Sequence, residues 1–503
     1  MRHNHPDIKL SDCMKDWGKT RIVCTIGPAT ADPIVIKALI EAGMSVARIN
    51  HSHGDEKIHR RHIQTVRSVA EKCGVGVGVL VDLAGPKYRT AGVGERGIHL
   101  KRGETFVISA DESEFGDKCF GAWPAGFHKD AKAGSLALFD DAVLEATVKK
   151  VEGKRVTLEA TIDGAIMSNK TISIPDSDIS LDYMTEKTKA GLEFALDADA
   201  EFIGLSCIRN RDDIETVRRF IKARGDKAPR LVSKIEMAQV MRGLEDVIDA
   251  SDIVMVARGD LGIEINLADL PMAQNRIIEL CNIRGKQVIT ATQMLESMIN
   301  SARPTRAEVT DISAAVQQGS DALMLSAETA IGRYPVRAMR YMSAVARNAE
   351  NNANYAKQIQ ARLDYLNRPK ASEVRVDDII AYGAAQISHE INAKLIIAFT
   401  ETGSSARRVA SFKPQVPIIA AIRSKSDAVN DLMITWGVKS VAVGEQSSFQ
   451  DMFYLASQIA LVNGYADAGD LIVVVMGMPI GIGGNTNLVR VVRVPEPAPS
   501  RAK

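Results

Sequence analysis

Short apolar, β-branched runs recur along most of the chain, and each is followed by a stretch with helical spacing. The runs are Arg21–Ile26, Ser45–Ile49, Val77–Asp82, Phe202–Cys207, Arg230–Ile235, Ile253–Ala257, Gln287–Ala291 and Asp321–Ser326. Strands that alternate with helices in this way predict a parallel (β/α)8 barrel, a TIM barrel. Unbroken apolar runs, instead of polar–apolar alternation, are what a strand buried on both faces requires. The helical stretches carry their own start signals. Thr305 and Glu308 make a capping box, followed by an apolar stripe of Val309, Ile312 and Val316. Pro271 and Pro335 open two later helices.

The third repeat breaks the rhythm. On the order of a hundred residues separate Asp82 from a helix beginning near Thr185, too many for a structureless loop. Strand-like runs at Thr105–Ser109, Ser135–Phe139, Val143–Val148 and Arg155–Glu159 predict an inserted small β-barrel lid. A lid at this point overhangs the C-terminal mouth of the barrel, where active sites form. After a polar helical stretch at Asn351–Asn367 a new α/β pattern begins. Its strands are Leu395–Thr400, Pro417–Ile422, Lys439–Val443, Leu471–Gly477 and Val489–Val494. The expected organisation is an N-terminal segment (1–19), a barrel (20–86 and 183–353), the lid (87–182), a C-terminal open-sheet α/β domain (354–494) and a Pro-rich tail (495–503).

Composition narrows the function classes. A chain of 503 residues is too long for one core. Its net charge of +1 supplies no field toward nucleic acid or an anionic membrane, and 5% aromatic content offers few base-stacking platforms. Six scattered cysteines without a C-x-x-C pair, a polar N-terminus and the lack of a long apolar run together predict a cytoplasmic protein with reduced thiols.

At barrel strand ends, polar residues are candidates for chemistry. Three such ends come in series: Lys234-Ile-Glu236, Arg258-Gly259-Asp260 and Thr292-Gln293. A lone Lys-x-Glu is usually a surface ion pair; its serial placement with the others changes that reading. Earlier strands end in Thr25-Ile-Gly27, Arg48-Ile-Asn50-His-Ser52-His53 and Asp82-Leu83-Ala-Gly85-Pro-Lys87-Tyr-Arg89, and the eighth in Ser326 and Glu328. Arg48, Arg89 and Lys234 suit phosphate oxygens. Glu236 and Asp260 are the hard oxygen donors that Mg2+ takes, and Gly259 and Gly262 bare backbone N–H groups suited to a carboxylate. The set fits a small substrate bearing both phosphate and carboxylate. His51, His53, His59 and His62 lack a partner at zinc-ligand spacing, so His59 and His62 read as a solvated helix face. The run Gly74-x-Gly76-x-Gly78 precedes a strand instead of following one, which argues against a dinucleotide loop.

The strings Thr25-Ile-Gly-Pro-Ala, Arg48-Ile-Asn-His-Ser-His-Gly, Ser233-Lys-Ile-Glu, Met255-Val-Ala-Arg-Gly-Asp-Leu-Gly, Ala291-Thr-Gln-Met-Leu-Glu-Ser-Met and Met324-Leu-Ser-Ala-Glu-Thr-Ala resemble the pyruvate kinase family, in its order, from about Thr20 to about Val494. The resemblance implies phosphoryl transfer from phosphoenolpyruvate to ADP, giving pyruvate and ATP, with Mg2+ or Mn2+. It implies that Lys234 stabilises the phosphoryl group in flight and that Glu236 and Asp260 hold the divalent ion. Thr292 lies in the proton path to the enol, Arg48 and Arg89 grip phosphate, Gly259 and Asp260 meet the substrate, and His53, Asn50 and Arg89 lie near the nucleotide. A homotetramer is implied as well.

Three departures qualify the resemblance. Asn50, Ser52, Asp82 and Leu83 match a K+ site, yet Lys87 stands where K+-dependent members carry Glu, so K+ is not expected to be required. In the lid, Asp140-Asp141-Ala142 and Lys170-Thr-Ile-Ser-Ile-Pro175 depart from the family strings. Thr400, Thr402, Gly403, Ser404 and Ser405 resemble the effector loop, with Glu401 disfavouring a second phosphate; a sugar monophosphate or nucleotide monophosphate is the expected effector. Two rival readings stand beside this one: a Mg2+-dependent aldolase or lyase acting on pyruvate or enolpyruvate, and a non-catalytic metabolite-binding paralogue.

Overall fold

The computed structural model describes residues 9–14, 17–52, 54–225, 228–367, 376–423, 428–445, 448–479 and 485–496. Eight parallel strands close the main barrel. In chain order they are Arg21–Thr25, Met44–Asn50, Gly78–Leu83, Phe202–Leu205, Arg230–Ile235, Ile253–Ala257, Gln287–Ala291 and Ala322–Leu325. Each matches a run read from the sequence to within two residues. Apolar side chains in these strands are almost all fully buried, which explains the unbroken pattern: each aliphatic side chain so buried stabilises the fold by about 1.5–3 kcal/mol.

By its internal contacts the chain divides into two compact units. The first comprises Met1–Val81, Ala198–Phe202 and Ile278–Lys503. Within it the first barrel strand pairs in parallel with the second and the eighth. The helix Arg306–Gln318 starts at the expected capping box, Thr305 accepting from the Glu308 N–H and Glu308 accepting from the Thr305 N–H. The helix Pro335–Asn352 opens on its proline. The C-terminal sheet has five strands in the order Val438–Val443, Ile418–Arg423, Ile396–Thr400, Leu471–Met476 and Leu488–Arg493, the last antiparallel. Arg21 is buried and donates to the carbonyls of Thr435 and Val438, bolting the first barrel strand to this region.

The second unit comprises Asp82–Asp197 and Ile203–Ile277. Its insert is a closed seven-stranded barrel, with Arg155–Ala160, Thr105–Ser109, Cys119–Trp123, Tyr88–Ala91, Thr171–Ser173, Leu136–Phe139 and Leu144–Glu152 as neighbours in turn. Phe106, Phe120 and Phe139 form its aromatic centre, with ring centroids 5.6–6.3 Å apart. Tyr88 closes one end through a 2.7 Å hydrogen bond from its hydroxyl to Asp130. Gly85 precedes the insert, whose first barrel strand is Tyr88–Ala91. A Cβ at Gly85 would lie 2.3 Å from the Ser206 carbonyl oxygen, so the chain passes against the end of the fourth barrel strand where only glycine fits.

Candidate active site

In the second unit, five charged side chains gather at the C-terminal ends of the third, fifth and sixth barrel strands. Lys234 and Glu236 leave the fifth strand together, and the Lys234 ammonium lies 2.7 Å from Glu236 Oε1 and 3.2 Å from Asp82 Oδ1. It also donates to Ser206 Oγ at 2.7 Å, and Ser206 donates on to Asp82 at 3.4 Å. The carboxylates of Asp82 and Glu236 are about as buried as any in the chain, at 2% and 1% exposure. The Cys207 backbone N–H holds the other Glu236 oxygen at 2.9 Å. Cys207 has φ 58°, and this left-handed turn aims its N–H at the carboxylate.

Lys87 makes the second ion pair, its ammonium 2.5 Å from Asp260 Oδ1. Asp260 keeps 38% of its side chain open to solvent. Burial pushes its carboxyl upward, but the Lys87 and Lys234 ammonium groups outweigh that and hold it below the usual carboxylate range. Burial acts to lower the Lys87 pKa, and the facing Cys207, Glu236 and Asp260 raise it well above the ordinary lysine value. Burial pushes the neighbouring Cys207 thiol up as well, so it stays protonated and inert.

Three carboxylates against two ammonium groups leave one negative charge in excess. Glu236 and Asp260 fit a divalent ion by the chemistry of their donors, which are hard oxygens; the Cys207 Sγ 3.6 Å from Glu236 is kept as a thiol by burial and is no thiolate donor. Among the described residues no group of three or more His, Cys, Asp and Glu side chains could by itself hold a metal. A two-carboxylate site leaves the remaining positions to substrate oxygens and water, as Mg2+ prefers.

The first unit carries the other rim residues. Arg48 donates to Thr25 Oγ1 at 3.0 Å, and Asn50 accepts from the Ser52 N–H at 3.2 Å. Thr292 and Gln293 both take left-handed backbone conformations, at φ 66° and 54°. Positive φ at two consecutive non-glycine residues costs backbone strain that the surrounding structure has to hold. Glu328, fully buried, accepts from the backbone N–H of Leu295 at 3.0 Å and of Ser326 at 2.7 Å, so it ties the loop after Thr292 to the end of the eighth strand. At Gly27 a Cβ would meet the Ala330 carbonyl oxygen at 2.6 Å.

Other expectations land differently. His53 lies outside the described residues. His59 and His62, expected on a solvated face, are buried on the inner side of the helix Glu56–Cys73, and burial lowers the His62 pKa. The error arose because imidazoles with Arg60 and Arg61 between them read as polar, whereas helical spacing turns the two histidines inward. Arg89 donates to the Asn169 carbonyl within the insert. The divergent lid string holds together locally: Asp140, Asp141 and Ala142 all have positive φ, and Lys170 pairs with Asp140 at 3.0 Å. In the C-terminal region, Gly403 (φ 78°) caps the short helix Ser404–Ala410. Ser405 is buried against Thr486, with 2.6 Å between the hydroxyls. Ser206 and Cys207 were not read as rim residues; a Ser near the C-terminal end of the run Phe202–Cys207, directly after the strand Phe202–Leu205, was the available signal.

An eight-stranded barrel whose strand ends pair lysines with metal-type carboxylates defines an enzyme that handles anionic substrates by positioning and charge, a phosphotransferase frame. Residues 17–339 match the family model of the pyruvate kinase barrel domain, and residues 378–492 match that of the pyruvate kinase alpha/beta domain. Curated relatives named pyruvate kinase include those of Clostridium acetobutylicum (36% identical, covering 94% of this chain and 99% of the relative) and Corynebacterium glutamicum (38%, covering 94% and 97%). A pyruvate kinase crystal structure from Cryptosporidium parvum superposes with a TM-score of 0.89 at 34% identity, covering 97% of this chain and 98% of that one. The chain belongs to the pyruvate kinase family. Its reaction is the transfer of a phosphoryl group from phosphoenolpyruvate to ADP, with the divalent-metal dependence general to the family. The aldolase, lyase and non-catalytic readings are not favoured.

Proposed function

We propose that the ion-paired cluster of Lys87, Asp82, Lys234, Glu236 and Asp260 is where phosphoenolpyruvate is bound and its phosphoryl group released. The observation that carries this is the Lys234 ammonium held between Asp82, Glu236 and Ser206, a point charge fixed in place before substrate arrives. Phosphoryl transfer needs such preorganised charge more than covalent chemistry. Glu236 and Asp260 would hold Mg2+ or Mn2+, which when bound neutralises charge on the phosphoryl and enolate oxygens. Arg48 and Arg89 grip the phosphate, the Gly259 and Asp260 turn receives the substrate, and His53 and Asn50 lie toward the nucleotide. Thr292 is the hydroxyl in the path that delivers the proton to the enol carbon, and its strained backbone supports that role. Thr25, by accepting from Arg48, orients that guanidinium.

Lys87 takes the place of K+. Its ammonium already sits on Asp260, and a monovalent cation at the position defined by Asn50, Ser52, Asp82 and Leu83 would add a redundant charge. The domain boundaries given above, a homotetramer and a cytoplasmic location complete the reading. Among the described residues no helix is long and apolar enough to cross a membrane. The loop Thr400–Ser405 takes a sugar monophosphate or nucleotide monophosphate effector, and isothermal titration with such phosphates tests it. For the reaction itself, the test is pyruvate release from phosphoenolpyruvate and ADP, coupled to lactate dehydrogenase. Turnover supports the reading, and phosphate binding without turnover would overturn it.

A further inference from the structure

A pair of thiols in the first unit takes no part in the ion-paired cluster of the strand ends. Cys73 is the last residue of the helix Glu56–Cys73, which ends at Gly74 in a left-handed cap (φ 63°). Against that end runs the N-terminal strap, including the short turn Asp12–Met14. Ser11 staples the two together, its hydroxyl donating to the Cys73 carbonyl at 2.6 Å and accepting from the Cys13 N–H at 3.3 Å. That one hydroxyl, bonded to the backbone of both cysteines, brings Cys13 and Cys73 together at the junction, close enough that Cys13 bears on the Cys73 thiol. Both are partly open to solvent. Cys24, Cys207 and Cys281 are buried and held as thiols by burial, and Cys119 belongs to the other unit.

We infer that Cys13 and Cys73 are an oxidation site that closes to a reversible intramolecular disulfide. Cysteines stapled to one hydroxyl at the same junction can reach the bonded separation of about 2.05 Å by side-chain rotation. The co-oxidant is a low-molecular-weight disulfide of the glutathione type. The Cys13 thiolate attacks one of its sulfurs and expels the first small thiol. Cys73 then gives up its proton and displaces the second, forming the Cys13–Cys73 bond. Two protein thiols are oxidised, one small disulfide is reduced to two thiols, and the two protein protons end on those leaving groups. Burial, followed by the neighbouring Cys13, holds the Cys73 pKa above its ordinary value, which suits Cys73 to the second, intramolecular step.

The bond has a structural consequence within the first unit. The strap also donates from the Leu10 N–H to Asn463 Oδ1 at 2.6 Å, just beyond the helix Phe449–Val462. It forms one wall of a cavity of about 790 Å3 whose other walls include Lys72, Val429 and Ser440. Oxidation would fix that wall to the helix end and leave the strand-end chemistry untouched.

The test uses the full-length wild-type chain, equilibrated at graded ratios of oxidised to reduced glutathione, alkylated, digested and weighed by mass spectrometry. The expected product is a Cys13–Cys73 cross-linked peptide pair lighter by two hydrogens, which dithiothreitol reverses, with Cys24, Cys207 and Cys281 alkylated only after unfolding. In Cys73→Ser, Cys13 should instead be recovered as a glutathione adduct. Separate glutathione adducts on both residues of the wild type, or two free thiols in a large excess of oxidised glutathione, would overturn the inference. The readout is independent of phosphoenolpyruvate turnover.

Discussion

The Lys87 ammonium sits 2.5 Å from Asp260 Oδ1, so a residue at the root of the insert is charge-paired with a carboxylate at the end of the sixth barrel strand. This pair makes the monovalent-cation question a matter of local charge. Wild-type turnover should be nearly unchanged when K+ is replaced by a bulky organic cation. Lys87→Glu reverses the charge beside Asp260, and its activity without K+ should fall by roughly tenfold or more and recover as K+ is added. Strong K+ activation of the wild type would reject the assignment.

Glu236→Gln and Asp260→Asn keep shape and remove charge. Each should lower kcat by about a hundredfold or more, as loss of preorganised electrostatic stabilisation does elsewhere. Each should also weaken Mn2+ binding measured by electron paramagnetic resonance. Asp260→Asn additionally releases Lys87, whose pKa should drop toward the ordinary lysine value.

Lys234 serves stability as well as chemistry. Lys234→Met leaves Asp82 and Glu236 buried without their shared ammonium, which should cost about 3–5 kcal/mol in chemical denaturation. Adding Asp82→Asn should recover part of that loss without restoring turnover. Fully additive effects on stability would show that the pair does not interact.

Glu328 orders the loop that follows Thr292. Glu328→Gln retains one acceptor oxygen for two backbone donors and should reduce stability by about 1–3 kcal/mol. If the loop positions Thr292 for proton delivery, kcat should fall while KM for phosphoenolpyruvate changes little.

His62 gives a pH dependence with a definite sign. Burial lowers its folded pKa below the ordinary value of 6.5, so the unfolded chain takes up a proton first as pH falls. The stability it contributes is present above about pH 6.5 and is lost progressively as pH drops toward the folded pKa. Denaturation midpoints of wild type and His62→Gln should therefore converge on acidification.

The barrel was legible because its strands are buried on both faces and therefore leave unbroken apolar runs in the sequence. The strands Ile98–Leu100, Gly164–Ile166 and Thr171–Ser173 were not, because three-residue segments paired with distant partners carry too little pattern. At the site, Lys234, Glu236 and Asp260 were readable as motifs at strand ends. Ser206 and the Cys207 backbone were not, because one acts through a hydroxyl common on any surface and the other through an amide that every residue has. The ion pair of Asp82 with the Lys234 ammonium was not legible either, because the two residues are far apart in sequence. His59 and His62 failed because polarity was weighed above helical phase.

The missing side chain at Gly85 has a mechanical meaning. Backbone packs against the Ser206 carbonyl two residues before Lys87, so a Cβ at Gly85 would push the chain away from Ser206 and carry the Lys87 ammonium off Asp260. Enlarging the glycine to alanine would thus dislodge a charge, although the substitution itself carries none.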